Sequence, residues 1–274
     1  MPGSSERKLA KAAQLAADEV VIDLEDAVAV GAKDEARAAT VAALGAWTGP
    51  AAAVRVNAPG TPWCHLDVAA VGALADRPAS IVVPKVESPG DLAFVDRLLD
   101  GVEAGAGRRA PLRVQALIET AAGLASVNEI AASSARLDAL ILGYADLAAA
   151  LSGARDLDAW LPAQHAVLVA ARAHGLDAID GPYLGVTPDE GFRAAAARAR
   201  DLGFDGKWAI HPSQVEPLNE VFTPSEAEVE RARAVLDAME SAQEGAVTLD
   251  GEMIDEAVRA AALRVLARAD AAGG

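Results

Sequence analysis

Short apolar runs rich in β-branched residues recur along the chain, and a longer segment of helical spacing follows each one. The runs cover residues 20–24, 53–57, 80–85, 114–119 and 139–143, with weaker ones around 177–180 and 207–211. Their hydrophobicity is nearly continuous rather than alternating, as expected for parallel strands covered on both faces. Helices are predicted between them, over 34–45, 88–100, 122–135, 157–174 and 188–202. Ser88-Pro89 and Thr187-Pro188 open two of these, and Gly175 and Gly203 close two. Residues 101–111 read as a flexible Gly/Ala/Arg connection. Strand–helix alternation on this scale predicts an α/β parallel sheet, with a TIM-type (β/α)₈ barrel over residues 1–224 favoured.

The pattern changes after Phe222-Thr223-Pro224. An amphipathic helix over 225–240 opens with Ser225 and Glu228 at capping-box spacing. A turn or hairpin is predicted over 244–251, and a last helix over 253–269. A C-terminal helical arm of residues 225–274 is too small to bury its own core, so it must dock on the barrel or on a neighbouring subunit.

Polar residues stand at or just after the strand ends: Asp23, Glu25 and Asp26; Arg55 and Asn57; Lys85 and Glu87; Glu119; Asp146; Asp180; His211. In a barrel these converge on the C-terminal rim, where active sites lie. Glu119 and Asp146, from adjacent strands, suit a hard cation such as Mg²⁺, which takes one or two carboxylates and keeps waters. Both are equally well placed to cap helices. Arg55 interrupts an apolar strand and needs an anion, either a substrate carboxylate or developing enolate, or an internal partner in Glu25 or Glu119. Asp23, Glu25 and Asp26 could stand behind a metal, orienting waters and Arg55; solvated loop charge suits Asp26 better than the other two. Lys85 is expected in a structural ion pair and His211 in a structural role. Cys64 is expected to be inert. Neither a Gly-rich phosphate loop nor a Gly-x-Ser-x-Gly elbow is present.

Composition narrows the classes. The 274 residues carry a net charge of −16, which argues against a general nucleic-acid binder. One cysteine excludes a disulfide framework. The absence of a long apolar run and of a leader-like start predicts a soluble cytoplasmic protein with no membrane partner.

Taken in order, several segments resemble the citrate lyase β-subunit-like branch of the HpcH/HpaI aldolase superfamily. They include Pro2-Gly3-Ser4, Val21-Ile22-Asp23-Leu24-Glu25-Asp26, Val54-Arg55-Val56-Asn57, Val83-Pro84-Lys85-Val86-Glu87, Leu117-Ile118-Glu119-Thr120, Gly143-Tyr144-Ala145-Asp146-Leu147, Gly206-Lys207, Ile210-His211-Pro212-Ser213-Gln214 and Met253-Ile254-Asp255. The resemblance implies Mg²⁺, or Mn²⁺ in its place, on Glu119 and Asp146, and a substrate- and enolate-binding Arg55. It implies a keto-acid carboxylate held by backbone N–H groups around Gly143, Tyr144, Ala145 and Asp146. Asp255 matches an acid/base aspartate delivered by the arm of an adjacent subunit, so a homo-oligomer, commonly a trimer, is implied. The implied reaction is reversible carbon–carbon cleavage of a malyl-, methylmalyl- or citramalyl-CoA to an acyl-CoA and a 2-oxoacid. Arg7 and Lys11 are candidates for the CoA phosphates, with surface solvation as the alternative. A CoA-independent 4-hydroxy-2-oxoacid aldolase and a citrate lyase β subunit active only in a complex are the competing readings. The resemblance also predicts a strand before Pro2-Gly3. Seven strands are counted where eight are expected, so the start lies upstream or the barrel has a gap that exposes a strand edge beside the site.

Overall fold

The computed structural model describes residues 1–74, 79–153, 157–241 and 246–273. Two compact units divide it, Met1–Leu218 and Asn219–Gly274. The first is built on seven parallel strands: β1 (Glu19–Asp23), β2 (Ala51–Arg55), β3 (Ala79–Val83), β4 (Val114–Ile118), β5 (Leu137–Leu142), β6 (Asp177–Asp180) and β7 (Gly206–Lys207). They pair strictly in sequence order, each parallel to the last. Helices α1 (Glu6–Ala12), α2 (Lys33–Gly45), α3 (Cys64–Gly72) and α4 (Pro89–Ala106) alternate with the early strands. After β4 come α5 (Ala121–Ala125) and α6 (Val127–Ala131), then α7 (Tyr144–Leu151) and α8 (Leu161–Ala173) after β5, and α9 (Glu190–Leu202) after β6. Helix α10 (Val215–Phe222) runs across the division.

The sheet is curled. Gln115 on β4 donates to Glu19 on β1 at 2.8 Å, although two strands stand between them. In a flat sheet those strands would be about 14 Å apart. Side chains alternate with period two, and the concave face is therefore layered. At the floor, Ser80 donates to Glu19 at 2.9 Å beside Gln115. Above it Ala53, Val82, Leu117 and Ile141 form a dry layer, against which Val21, Ile179 and Trp208 pack. The next inward positions carry Asp23, Arg55 and Glu119, so the alternation delivers charge to the rim. The result is a TIM-like α/β half-barrel.

The outer edge of β1 is covered at its upper end. Pro2 bridges Asp23 in parallel, Asp23 donates its N–H to Met1 O at 2.7 Å, and Gly3 donates to Asp23 O at 2.8 Å. Other boundaries differ from the sequence reading. Residues 101–106 continue α4 instead of forming a loop. The buried Glu103 extends the helix's inward stripe and pairs with Arg136 at 2.7 Å, and the helix stops only at Gly107, φ 67°. The helix predicted over 122–135 breaks at Ser126, which closes α5 and opens α6. Helix α9 opens at Asp189, whose carboxylate accepts from Phe192 N at 2.9 Å, rather than at Thr187-Pro188.

In the second unit α11 (Glu226–Ser241) is opened by Ser225 and Glu228 in the expected capping box. An antiparallel pair, β8 (Val247–Leu249) and β9 (Glu252–Ile254), precedes α12 (Glu256–Gly273). Met253 and Ile254 therefore belong to a strand rather than to the last helix; residues 244 and 245 of the expected turn lie outside the described ones. Contrary to the expectation that this arm is too small for a core of its own, Ala232, Val235, Ile254 and Ala262 form one within it. Among the described residues no helix is long and apolar enough to cross a membrane.

Near the floor the pairing slips. Val114 faces Leu137 but Gln115 faces Ala139, leaving Asp138 as the extra residue of a bulge. Burial raises its pKa to about 6; Arg113 opposes this, and Glu19 and Asp177 add to it. The folded protein thus holds this proton more tightly than the unfolded chain, and stability falls as pH rises from about 4 through 6. Asp138→Asn removes that penalty. In thermal melts it is expected to gain melting temperature over wild type at pH 8 and to lose the gain at pH 4. Equal shifts at both pH values would assign the effect to shape rather than charge.

Candidate active site

The rim is assembled around the turn that follows β1. The Asp23 carboxylate accepts from Glu25 N at 2.8 Å and Ala27 N at 3.2 Å, folding the chain back on itself. The turn is clamped from behind. Buried Lys33 donates to Leu24 O at 2.9 Å and Glu25 O at 2.8 Å, and Asn57 donates to Leu24 O at 3.0 Å. Asp67, fully buried, accepts from the backbone and side chain of Asn57 and from Arg37. Lys33, Arg37 and Asp67 carry no rim signal in the sequence, because they lie on helices one layer out.

Held this way, Asp23 meets Arg55 with both oxygens, Nε to Oδ1 at 2.9 Å and Nη2 to Oδ2 at 2.5 Å. Nη1 lies 3.2 Å from Glu25 Oε2 but outside hydrogen-bond geometry, so that buried oxygen is paired by charge alone. Of the two internal partners expected for Arg55, Glu25 is present as an ion pair; the stronger partner, Asp23, was not among them. Burial opposes ionisation of Asp23, but the Arg55 hydrogen bonds and charge outweigh it and hold the carboxyl below its usual range. Arg55 is kept firmly cationic in return, by Asp23 and then Glu25, against its own burial. The fork leaves three guanidinium N–H groups uncommitted to Asp23.

Lys85 has a left-handed backbone, φ 51°, and its ammonium pairs with Glu25 and, at 3.4 Å, with the largely exposed Asp26. Its N–H donates to Glu119 Oε1 at 3.0 Å. Glu119 is 2% exposed, and its pKa is pushed up to about 8, first by burial and then by the charges of Glu25 and Asp146, with Lys85 and Arg55 opposing. Asp146 stands in the first turn of α7, immediately beyond Gly143. Gly143 N–H is spent on Ile118 O at 3.0 Å, so it cannot serve a ligand as expected. Tyr144, Ala145 and Asp146 supply the first-turn N–H groups that helix geometry leaves without an intrahelical acceptor.

Five carboxylates, Asp23, Glu25, Asp26, Glu119 and Asp146, thus share the rim with two cations, Arg55 and Lys85. A carboxylate as buried as Glu119, with like charges around it, has the environment of a ligand lacking its counter-ion. Among the described residues no three such side chains form a ready-made cage. Glu119 and Asp146, near enough for the charge of one to raise the pKa of the other, suit a hard cation whose other positions are left to water and an oxyacid.

The remaining candidates make contacts of their own. Arg7 and Lys11 are exposed on α1. Asp255 belongs to the second unit, where its Oδ1 accepts from Ala257 N and Val258 N at the start of α12. His211 accepts from Ser213 N at 3.2 Å, and Gln214 ties the same turn to Gly185 O, so this motif braces one rim loop against another. The Cys64 thiol is buried, with its pKa pushed up to about 12, first by burial and then by Asp67 and Asp91. A methyl group on residue 143 would sit 2.6 Å from Glu119 Cβ and 2.7 Å from its Oε2. Gly143→Ala is therefore expected to weaken divalent-cation binding at least about tenfold. Mn²⁺ paramagnetic resonance measures this, on protein whose circular dichroism matches wild type; unchanged affinity would remove Glu119 from the ligand set.

The family described as HpcH/HpaI aldolase/citrate lyase matches residues 1–212. An L-malyl-CoA/beta-methylmalyl-CoA lyase of Cereibacter sphaeroides is 42% identical over 93% of this chain and 88% of its own. A (3S)-malyl-CoA thioesterase of the same species is 40% identical over 99% of this chain and 93% of its own. Among solved structures, CitE of Mycobacterium tuberculosis in complex with magnesium, acetoacetate and coenzyme A superposes with a TM-score of 0.79. It is 32% identical, over 98% of this chain and 96% of that one. The chain belongs to the HpcH/HpaI aldolase/citrate lyase family.

Proposed function

We propose that the chain is a Mg²⁺-dependent carbon–carbon lyase that reversibly splits a 3-hydroxyacyl-CoA of the malyl- or methylmalyl-CoA type into an acyl-CoA and a 2-oxoacid. The observation that carries this reading is the rim itself. A buried Glu119 crowded by carboxylates sits beside an arginine held cationic and aimed by Asp23, on a chain 42% identical to a lyase for such substrates.

Glu119 and Asp146 hold the metal, which when bound polarises the 2-oxoacid carbonyl. The N–H groups at the start of α7 bind the oxoacid carboxylate, as helix N-termini bind anions. Arg55 turns its uncommitted N–H groups to the thioester oxygen and stabilises the enolate. Asp255, supplied by the arm of a second copy in a homo-oligomer, removes or returns the proton on the thioester α-carbon. Arg7 and Lys11 meet the CoA phosphates.

The test is purified protein with Mg²⁺ and L-malyl-, methylmalyl- and citramalyl-CoA, with and without EDTA. Glyoxylate or pyruvate release that EDTA stops is expected. Free malate without glyoxylate would instead assign a thioesterase, like the 40% identical relative. Cleavage of a CoA-free 4-hydroxy-2-oxoacid alone would assign an aldolase. Silence on all of these substrates would favour a β subunit that needs a complex. Glu119→Ala and Asp146→Ala should each abolish metal-dependent turnover. Asp255→Ala should keep Mg²⁺ and 2-oxoacid binding but stop deuterium exchange at the thioester. Loss of 2-oxoacid binding in that variant would contradict its separate role.

A further inference from the structure

Behind the rim, between sheet and helices, lies a second polar cluster that the chemistry above does not use. Tyr144 opens α7 and is 6% exposed. Its hydroxyl donates to Asp180, the last residue of β6, and accepts from Gln164 Nε2 of α8 at 2.7 Å. Gln164 also donates to Asp180 Oδ1 at 3.2 Å. The other Asp180 oxygen accepts from Lys207 Nζ, the last residue of β7, at 2.5 Å. The Lys207 ammonium also donates to Gly181 O and lies 5.6 Å from the centroid of the Tyr144 ring. Both side chains of the ion pair are 1% exposed. Space is equally constrained, since a Cβ on Gly181 would meet Leu142 O at 2.2 Å and Tyr144 Cδ2 at 2.5 Å.

A buried ion pair is a poor source of stability, and apolar residues of equal volume commonly do as well. What this cluster does is anchor one phenol from three elements at once. Tyr144 is two residues before Asp146, in the same helical turn, so the anchor sets the rotation and height of α7's first turn. We infer that Tyr144, held by the Asp180–Lys207 pair and Gln164, is a positioning residue that fixes the Asp146 carboxylate and the first-turn N–H groups in register with Glu119. This rests on the metal reading proposed above.

Two variants of the full-length protein test it. Tyr144→Phe removes only the hydroxyl and leaves Gln164 bonded to Asp180. The double variant Asp180→Leu/Lys207→Met removes both charges together, so that neither is left buried alone. Each is compared with wild type and with Glu119→Ala by Mn²⁺ paramagnetic resonance and by thermal melting. Both variants are expected to bind Mn²⁺ about tenfold more weakly, with melting temperatures close to wild type. The Mg²⁺ concentration for half-maximal turnover should rise by the same factor. Wild-type Mn²⁺ affinity in both variants, whatever their melting temperatures, would make the cluster a strut only and overturn the inference. Weaker binding that merely tracked a lowered melting temperature would overturn it as well. A wild-type protein that binds no Mn²⁺, or binds it unchanged in Glu119→Ala, would sink the metal reading and this inference with it.

Discussion

Arg55 can end a strand of buried apolar residues because Asp23 meets it there with both carboxylate oxygens. An unpaired guanidinium at that depth would cost several kcal/mol. The pairing does more than neutralise. Asp23 also folds the turn beyond β1, which carries Glu25, and Glu25 sets Lys85. The Lys85 backbone in turn holds Glu119. The rim is therefore a chain of dependencies that begins at one fork. Lys33, Asn57, Asp67 and Arg37 complete it by fixing the turn's carbonyls from the helical layer.

Near-continuous apolar runs, each ended by polar residues, were enough to make most of this legible. The strand runs lie within a few residues of the observed strands, and Asp23, Glu25, Arg55, Lys85 and Glu119 at or just beyond their ends come together. The adjacent acids Glu119 and Asp146 were visible because each stands just beyond an uninterrupted apolar run. Lys207 and Gln164 were not, for a physical reason. They point into the layer between sheet and helices, where a polar residue in one sequence is indistinguishable from a solvated one until its partner is known. Asp180 was read as one more rim residue, although it faces away from the mouth toward Tyr144.

The misplaced boundaries have a common origin. Gly101 and Gly105 were read as breakers, yet a Cβ at either would meet nothing, and α4 runs through both. What carries it onward is the buried pair of Glu103 with Arg136, from a residue more than thirty positions away. Asp189 displaces Thr187-Pro188 as a helix start by capping the amide of Phe192, a fully buried ring that fixes where α9 lies. Local punctuation proposes an end to a helix, and long-range burial decides it.

The dry layer of Ala53, Val82, Leu117 and Ile141 separates two polar networks on the same strands. From Glu19 to Asp23 is four residues, roughly 13 Å of strand. That exceeds the roughly 7–10 Å beyond which substitutions act independently. Robustness and reactivity are thus adjustable separately in this chain. The floor of Glu19, Ser80, Gln115 and Asp138 can drift or be redesigned for heat tolerance while the chemistry at the mouth stays as it is.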